Sequence, residues 1–211
     1  MSALPSIEPY PMPGAPSAER MDWKIDPARC VLLVHDMQRY FLDAFTPGSE
    51  PVPELLANIG ALLDRCRSNR VPRIFTAQPG SQNEQERGLL RDLWGEGLRD
   101  DPAHSGIVED LAPTPDEVVL TKWRYSAFVR TDLEERMRAL GRDQLVVCGV
   151  YAHIGVLMTA CDAFMRDIEA FVVADAVADF SARDHETALS YAARRCAVTV
   201  PTKDTLVAFQ S

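Results

Sequence analysis

Six short runs dominated by apolar residues punctuate this chain, at 31–34, 73–76, 118–120, 145–148, 171–173 and 198–200. A strand with one face in water alternates apolar and polar residues, whereas a run without alternation is buried on both faces. The segments between them read differently. Leu55, Leu56, Ile59, Leu62, Leu63 and Cys66 recur at the spacing of one helix face. Thr131-x-x-Glu134 predicts a capping box opening a helix through Leu133, Met137 and Leu140 that stops at Gly141. Residues 84–98 predict a short helix with loop on either side, residues 156–164 a helix rich in small residues, and Ser181-x-x-Asp184 a capped helix to about Arg195. Buried strands alternating with helices give an α/β fold: a three-layer sandwich, with a six-stranded, mainly parallel sheet between helices on both faces.

No Pro/Gly/Ser linker or repeat divides the series, so 21–211 reads as one domain. Residues 1–20 hold five of the fifteen prolines and read as an extended arm, packed across a subunit or frayed. With 46% apolar and 25% charged residues among 211, the composition is that of an ordered globular protein. No apolar run is long enough to cross a bilayer, and the N-terminus lacks the basic and apolar regions of a secretory signal, so the expected location is the cytoplasm. A net charge of −9 with no basic stripe disfavours nucleic acid as a partner. Any anionic substrate must then be held by a few local cations.

The five cysteines show no C-x-x-C spacing and read as core thiols, and the four histidines lack zinc-site spacing, so no metal is expected. No G-x-G-x-x-G or Walker sequence follows a strand, and no cofactor is expected.

In open parallel sheets the ligand lies beyond the carboxyl ends of the strands. There the sequence places Asp36, Gln78 and Lys122, an acid, an amide and an ammonium from three different strands, and Tyr151 to Gly155 after the fourth. Each residue taken alone has a plainer reading. Asp36 serves equally as a cap or turn former, Lys122 as a solvated charge, and Phe41, Trp94, Tyr125 and Tyr151 as aromatic core.

Three segments carry a resemblance. Val34-His35-Asp36-Met37-Gln38, the stretch from Leu120 through Lys122-Trp123-Arg124-Tyr125 to Phe128, and Gly149-Val150-Tyr151-Ala152-His153-Ile154-Gly155 are similar to the isochorismatase family of the cysteine-hydrolase fold. In the amidases of that superfamily a nucleophilic cysteine follows strand four, beside an Asp and a Lys. The matching position here is Gly155, and neither Cys148 nor Cys161 takes its place. The resemblance therefore implies the branch that cleaves vinyl ethers with an acid and no protein nucleophile.

It implies Asp36 as the acid, with Lys122 pairing a substrate carboxylate. Gln78 and Arg87 would hold carboxyl or hydroxyl groups, and Phe41, Trp94, Tyr125 and Tyr151 would wall the pocket. The backbone N–H of Gly155 would receive a carboxylate, its missing side chain leaving room for a ring substituent. The implied partners are a small anionic substrate and a second copy in a homodimer. Residues 76–81 and 86–90, and the absence of sequence for a carrier domain after Ser211, lean towards 2-amino-2-deoxyisochorismate of phenazine-type pathways. Isochorismate of siderophore synthesis is the alternative.

Overall fold

The computed structural model describes residues 4–16 and 21–210. Six strands form the sheet: β1 (Cys30–His35), β2 (Arg73–Ala77), β3 (Val118–Thr121), β4 (Gln144–Val150), β5 (Glu169–Ala178) and β6 (Ala197–Val200). Their order is β3-β2-β1-β4-β5-β6, and every pairing is parallel. The expected mainly parallel sheet is wholly parallel.

Alternation along the strands decides which layer each side chain joins. Cys30, Leu32 and Val34 of β1 pack with Leu55, Ile59, Leu62 and Leu63 of α2 (Val52–Asn69). Val31 and Leu33 point the other way, into a core shared by three helices. These are α6 (Leu133–Ala139), α7 (Leu157–Phe164) and α8 (Ala182–Arg195). The helices between β2 and β3 are all short, among them α3 (Glu84–Arg87), α4 (Leu90–Trp94) and α5 (Pro102–Ser105). A one-turn α1 (Arg39–Leu42) follows β1, and α9 (Thr202–Ala208) follows β6.

The sheet grows outward from β1 to β3, then returns to β4 on the other side of β1. The connections leaving β1 and β4 therefore diverge, and a crevice opens between their carboxyl ends. His35 and Asp36 stand on one side of that crevice, Val150 and Tyr151 on the other.

Several local expectations need correction. Thr131 and Glu134 form no capping box. The Thr131 hydroxyl donates to Ala127 O and accepts from the Leu133 N–H, while Glu134 pairs with Arg138 and Arg166. The reciprocal box lies instead at Asn83 and Glu86, each side chain accepting from the other's backbone N–H at 2.9 Å. The helix expected within 84–98 is two short helices, divided where Gly88 adopts a φ of +53°. Strand β5 continues beyond its apolar run to Ala178, and α9 was not expected.

The described part of the arm packs on its own chain. Ile7 is buried and bridges the backbone at Ala44 and Thr46, and the Tyr10 hydroxyl reaches residue 179. Residues 1–3 and 17–20 of the expected arm, and Ser211, lie outside the described residues.

Candidate active site

Strand β1 ends by turning Asp36 into the crevice. Its φ of +50° lies in the left-handed region, which a side chain other than glycine's occupies at a cost, and such outliers gather at functional sites. The carboxylate is almost wholly buried and fully partnered. Oδ1 accepts from the Thr76 hydroxyl at 2.5 Å, while Oδ2 accepts from Gln78 Nε2 at 3.2 Å and pairs with Lys122 Nζ at 2.8 Å. Thr76 and Gln78 come from the end of β2 and its loop, and Lys122 directly follows β3. The three groups that the sequence set at three strand ends thus meet at one carboxylate.

Burial by itself would raise the Asp36 pKa. The Lys122 ammonium, with the hydrogen bonds from Lys122 and Thr76, outweighs burial and holds the carboxyl below its ordinary range.

Two further residues hold this centre. Gln38, fully buried, accepts from the Gln78 backbone N–H at 2.8 Å and donates to the carbonyls of Gln78 and Ser105. Arg87, also buried, donates through Nε to Gly95 O at 3.0 Å and through Nη1 to Gln78 Oε1 at 3.3 Å. Gly97, with φ +79°, leaves the space that its guanidinium fills, since a Cβ there would come within 2.7 Å of Cζ. Among the described residues no carboxylate lies within ion-pair distance of Arg87, and burial lowers its pKa. A buried guanidinium without a counter-charge favours an anion placed beside it.

Around these groups lies a cleft at the carboxyl ends of the strands. All nine sequence-expected residues line it: Phe41, Asp36, Gln78, Arg87, Trp94, Lys122, Tyr125, Tyr151 and Gly155. The hydroxyls of Tyr125 and Tyr151 are already engaged. Tyr151 donates to Phe41 O at 2.6 Å, and Trp94 Nε1 donates to the Tyr125 oxygen at 2.7 Å. Tyr151 also packs its ring on Phe180, with centroids 4.5 Å apart. These rings supply shape and exclude water.

One detail differs from the expectations: the space beside Gly155, expected to be left for a ring substituent, holds the imidazole of His35. Sequence reading also passed over His35, Thr76, Gln38, Tyr40 and Leu4. His35 and Thr76 carried a signal, being polar residues in strands that are otherwise buried and apolar.

No thiol lines the cleft. Cys148 is buried in β4 with Sγ 3.5 Å from Leu33 O, and burial pushes its pKa up. Cys161 meets Cys196 at 3.4 Å away from the cleft. Among the described residues no cluster of His, Cys, Asp and Glu could hold a metal ion, and no helix is long and apolar enough to span a membrane.

Known proteins share this arrangement of chain. The protein described as Isochorismatase from Bacillus subtilis is 56% identical over 211 residues, covering 99% of this chain and 68% of that protein. Phenazine biosynthesis protein PhzD1 of Pseudomonas aeruginosa is 53% identical over 213 residues, covering 98% of this chain and all of that protein. Nicotinamidase 3 of Arabidopsis thaliana is 32% identical across 75% of this chain and 77% of its own. Among solved structures, a cysteine hydrolase from Pseudomonas syringae pv. phaseolicola superposes with a TM-score of 0.79 at 25% identity, over 89% of this chain and 95% of that one. The family model for the isochorismatase domain matches residues 30–204, and with the wholly parallel sheet and its rim of acid, amide and ammonium this chain belongs to the isochorismatase family of hydrolases.

Proposed function

We propose that this chain hydrolyses the enol-pyruvyl ether of 2-amino-2-deoxyisochorismate, releasing pyruvate and trans-2,3-dihydro-3-hydroxyanthranilate, with Asp36 as the proton donor. The observation that carries this reading is a buried carboxylate facing a cleft that has cations for anionic groups and no thiol to attack with.

Cleavage of a vinyl ether begins by protonating its terminal methylene carbon. The Asp36 proton forms the new C–H bond of a methyl group, and the ether carbon becomes an oxocarbenium ion. A water oxygen bonds to that carbon while one water proton returns to the Asp36 carboxylate. The resulting hemiketal passes its hydroxyl proton to the ring oxygen as the C–O bond breaks, leaving pyruvate and an alcohol. One water is consumed, and no covalent enzyme intermediate forms.

Asp36 must be protonated when the reaction starts, whereas Lys122 favours its ionised form. A substrate carboxylate arriving beside Lys122 takes up part of that positive charge, and the closed aromatic walls remove water. Both changes raise the carboxyl's pKa, so a proton is taken up with the substrate. Arg87 supplies the second anion contact, reaching past Gln78. Activity therefore falls as pH rises through the Asp36 titration in the complex. In kcat/KM, which reports the free enzyme, the same decline begins at lower pH.

A second reading, hydrolysis of isochorismate to 2,3-dihydro-2,3-dihydroxybenzoate and pyruvate, is favoured by the 56% identity to the Bacillus protein described as Isochorismatase. Pyruvate release from the two substrates, followed side by side through a coupled lactate dehydrogenase, separates them. The amino substrate is expected to show a kcat/KM at least about tenfold higher, a difference of about 1.4 kcal/mol in transition-state binding. The reverse ratio assigns the chain to isochorismate. No pyruvate from either substrate removes the ether-hydrolase reading.

A further inference from the structure

His35 closes a strand whose other five residues are apolar, and the proposed chemistry gives it no task. Its contacts nevertheless account for two glycines. On the backbone side it lies against Gly149, where a Cβ would come within 2.1 Å of His35 O and φ is +111°. On the ring side it lies against Gly155, where a Cβ would come within 2.1 Å of Cε1 and 2.8 Å of Nε2. Neither glycine has room for a side chain while His35 stays where it is.

The ring is also anchored. Nδ1 lies 2.8 Å from Val150 O, which can only accept, so Nδ1 carries the proton and donates. Burial pushes the pKa of this imidazole down to about 4, which keeps it neutral near neutral pH. What the imidazole adds over an apolar ring of similar size is the donor at Nδ1.

We propose that His35 is the positioning residue that decides which chemistry this cleft can perform. Its imidazole fills the side-chain volume of position 155 and, tied to Val150 O, fixes the strand end from which Asp36 projects. A cysteine at 155 is excluded on steric grounds while His35 is present, and acid catalysis gains a rigidly aimed carboxyl. The catalytic half of this assignment rests on the ether-hydrolase reading, and the steric half does not.

A double-mutant cycle on melting temperature tests the steric half without any substrate. Gly155→Ala is expected to lower Tm by about 5 °C in the parent chain and by less than about 2 °C in a His35→Ala background, because the clash is gone. Equal losses in both backgrounds overturn the proposal. Should the His35→Ala chain not fold, the ¹⁵N resonances of the His35 ring in Gly155→Ala decide. A displaced ring with a changed Nδ1–H signal supports it, and an unchanged signal refutes it.

The positioning half is read from pyruvate release with both ring substrates. His35→Ala is expected to lower kcat about 100-fold with KM within about threefold. His35→Asn, whose amide can still donate to Val150 O, is expected to restore at least about tenfold of that loss. Loss confined to KM, or no rescue by Asn, removes the positioning role. Absence of activity in the parent chain counts against the ether-hydrolase reading and leaves the melting cycle to judge the steric claim.

Discussion

Two buried carboxylates stand near the same rim, Asp36 after β1 and Asp179 after β5, each beside a basic side chain. Lys122 Nζ lies 2.8 Å from Asp36, and His153 Nδ1 lies 2.5 Å from Asp179. Their other partners differ. Asp179 accepts from the backbone N–H groups of His153 at 2.6 Å and Phe180 at 2.8 Å. Backbone donors cannot swing away, so this carboxylate is fixed as an acceptor and pins the turn after β4 to the end of β5. Asp36 takes three of its contacts from side chains, Thr76, Gln78 and Lys122, each able to adjust when a charged ligand enters the cleft. A carboxylate held by main chain builds the site, and one held by side chains can exchange a proton within it.

The largest expected effect sets the two directly against each other. Asp36→Asn should lower kcat roughly ten-thousand-fold, the upper end of what a positioned general acid supplies, and leave substrate binding measurable by calorimetry. Asp179→Asn should cost less than about tenfold in kcat but about 4–8 °C in melting temperature, as one of the two backbone N–H groups loses its acceptor and meets an NH2 group instead. If Asp179→Asn proves the more damaging to turnover, the contrast fails.

Lys122→Met comes next, with a loss of about a thousandfold in kcat/KM. It removes the charge that holds the Asp36 pKa down, so burial then dominates and the pKa rises. The descending limb of the pH–rate profile should move to higher pH. A limb that stays in place would show that Lys122 does not control this carboxyl. Arg87→Gln should raise KM about 30-fold with kcat changed less than about fivefold, the signature of lost ground-state binding.

Stability against pH sharpens the comparison in opposite directions. Asp36 has a depressed pKa, so its contribution is present above the ordinary carboxylate value and is lost as pH falls. Glu117, held by Arg67 and Arg73 at the far end of the sheet and lowered to about 2, adds to the same acid loss. His153 is raised above its ordinary 6.5 by the hydrogen bond to Asp179. Its contribution is complete below pH 6.5 and disappears as pH rises through the raised value. Melting curves from pH 3 to 9 should show both slopes, and Asp179→Asn should abolish only the alkaline one. The smallest effect belongs to Tyr10→Phe. Its hydroxyl accepts from the Asp179 backbone N–H at 2.7 Å, and losing it should cost about 2–4 °C in melting temperature.

The sheet was legible because strands buried on both faces need runs dominated by apolar residues, and such runs mark all six strands, although the edge strand β3 buries only Leu120 and leaves Val119 exposed. The second half of β5 was not, since Asp175 interrupts the pattern. Asp175 repays its placement by accepting from the Thr202 N–H and hydroxyl, both at 2.7 Å, which also starts α9. The Thr131 motif misled because a capping box is a local signal, and here nearby arginines took the glutamate.

In the site, topology and resemblance brought out nine of the residues that line the cleft. They left open whether Lys122 would stand beside Asp36, and did not show that Gly155 would face His35. Both depend on how strands distant in sequence end beside one another, which is a property of pairing and register.

The position of Leu4 in the cleft wall has a practical consequence. A small fluorophore carried at position 4 sits in that wall and should report directly on what enters the cleft.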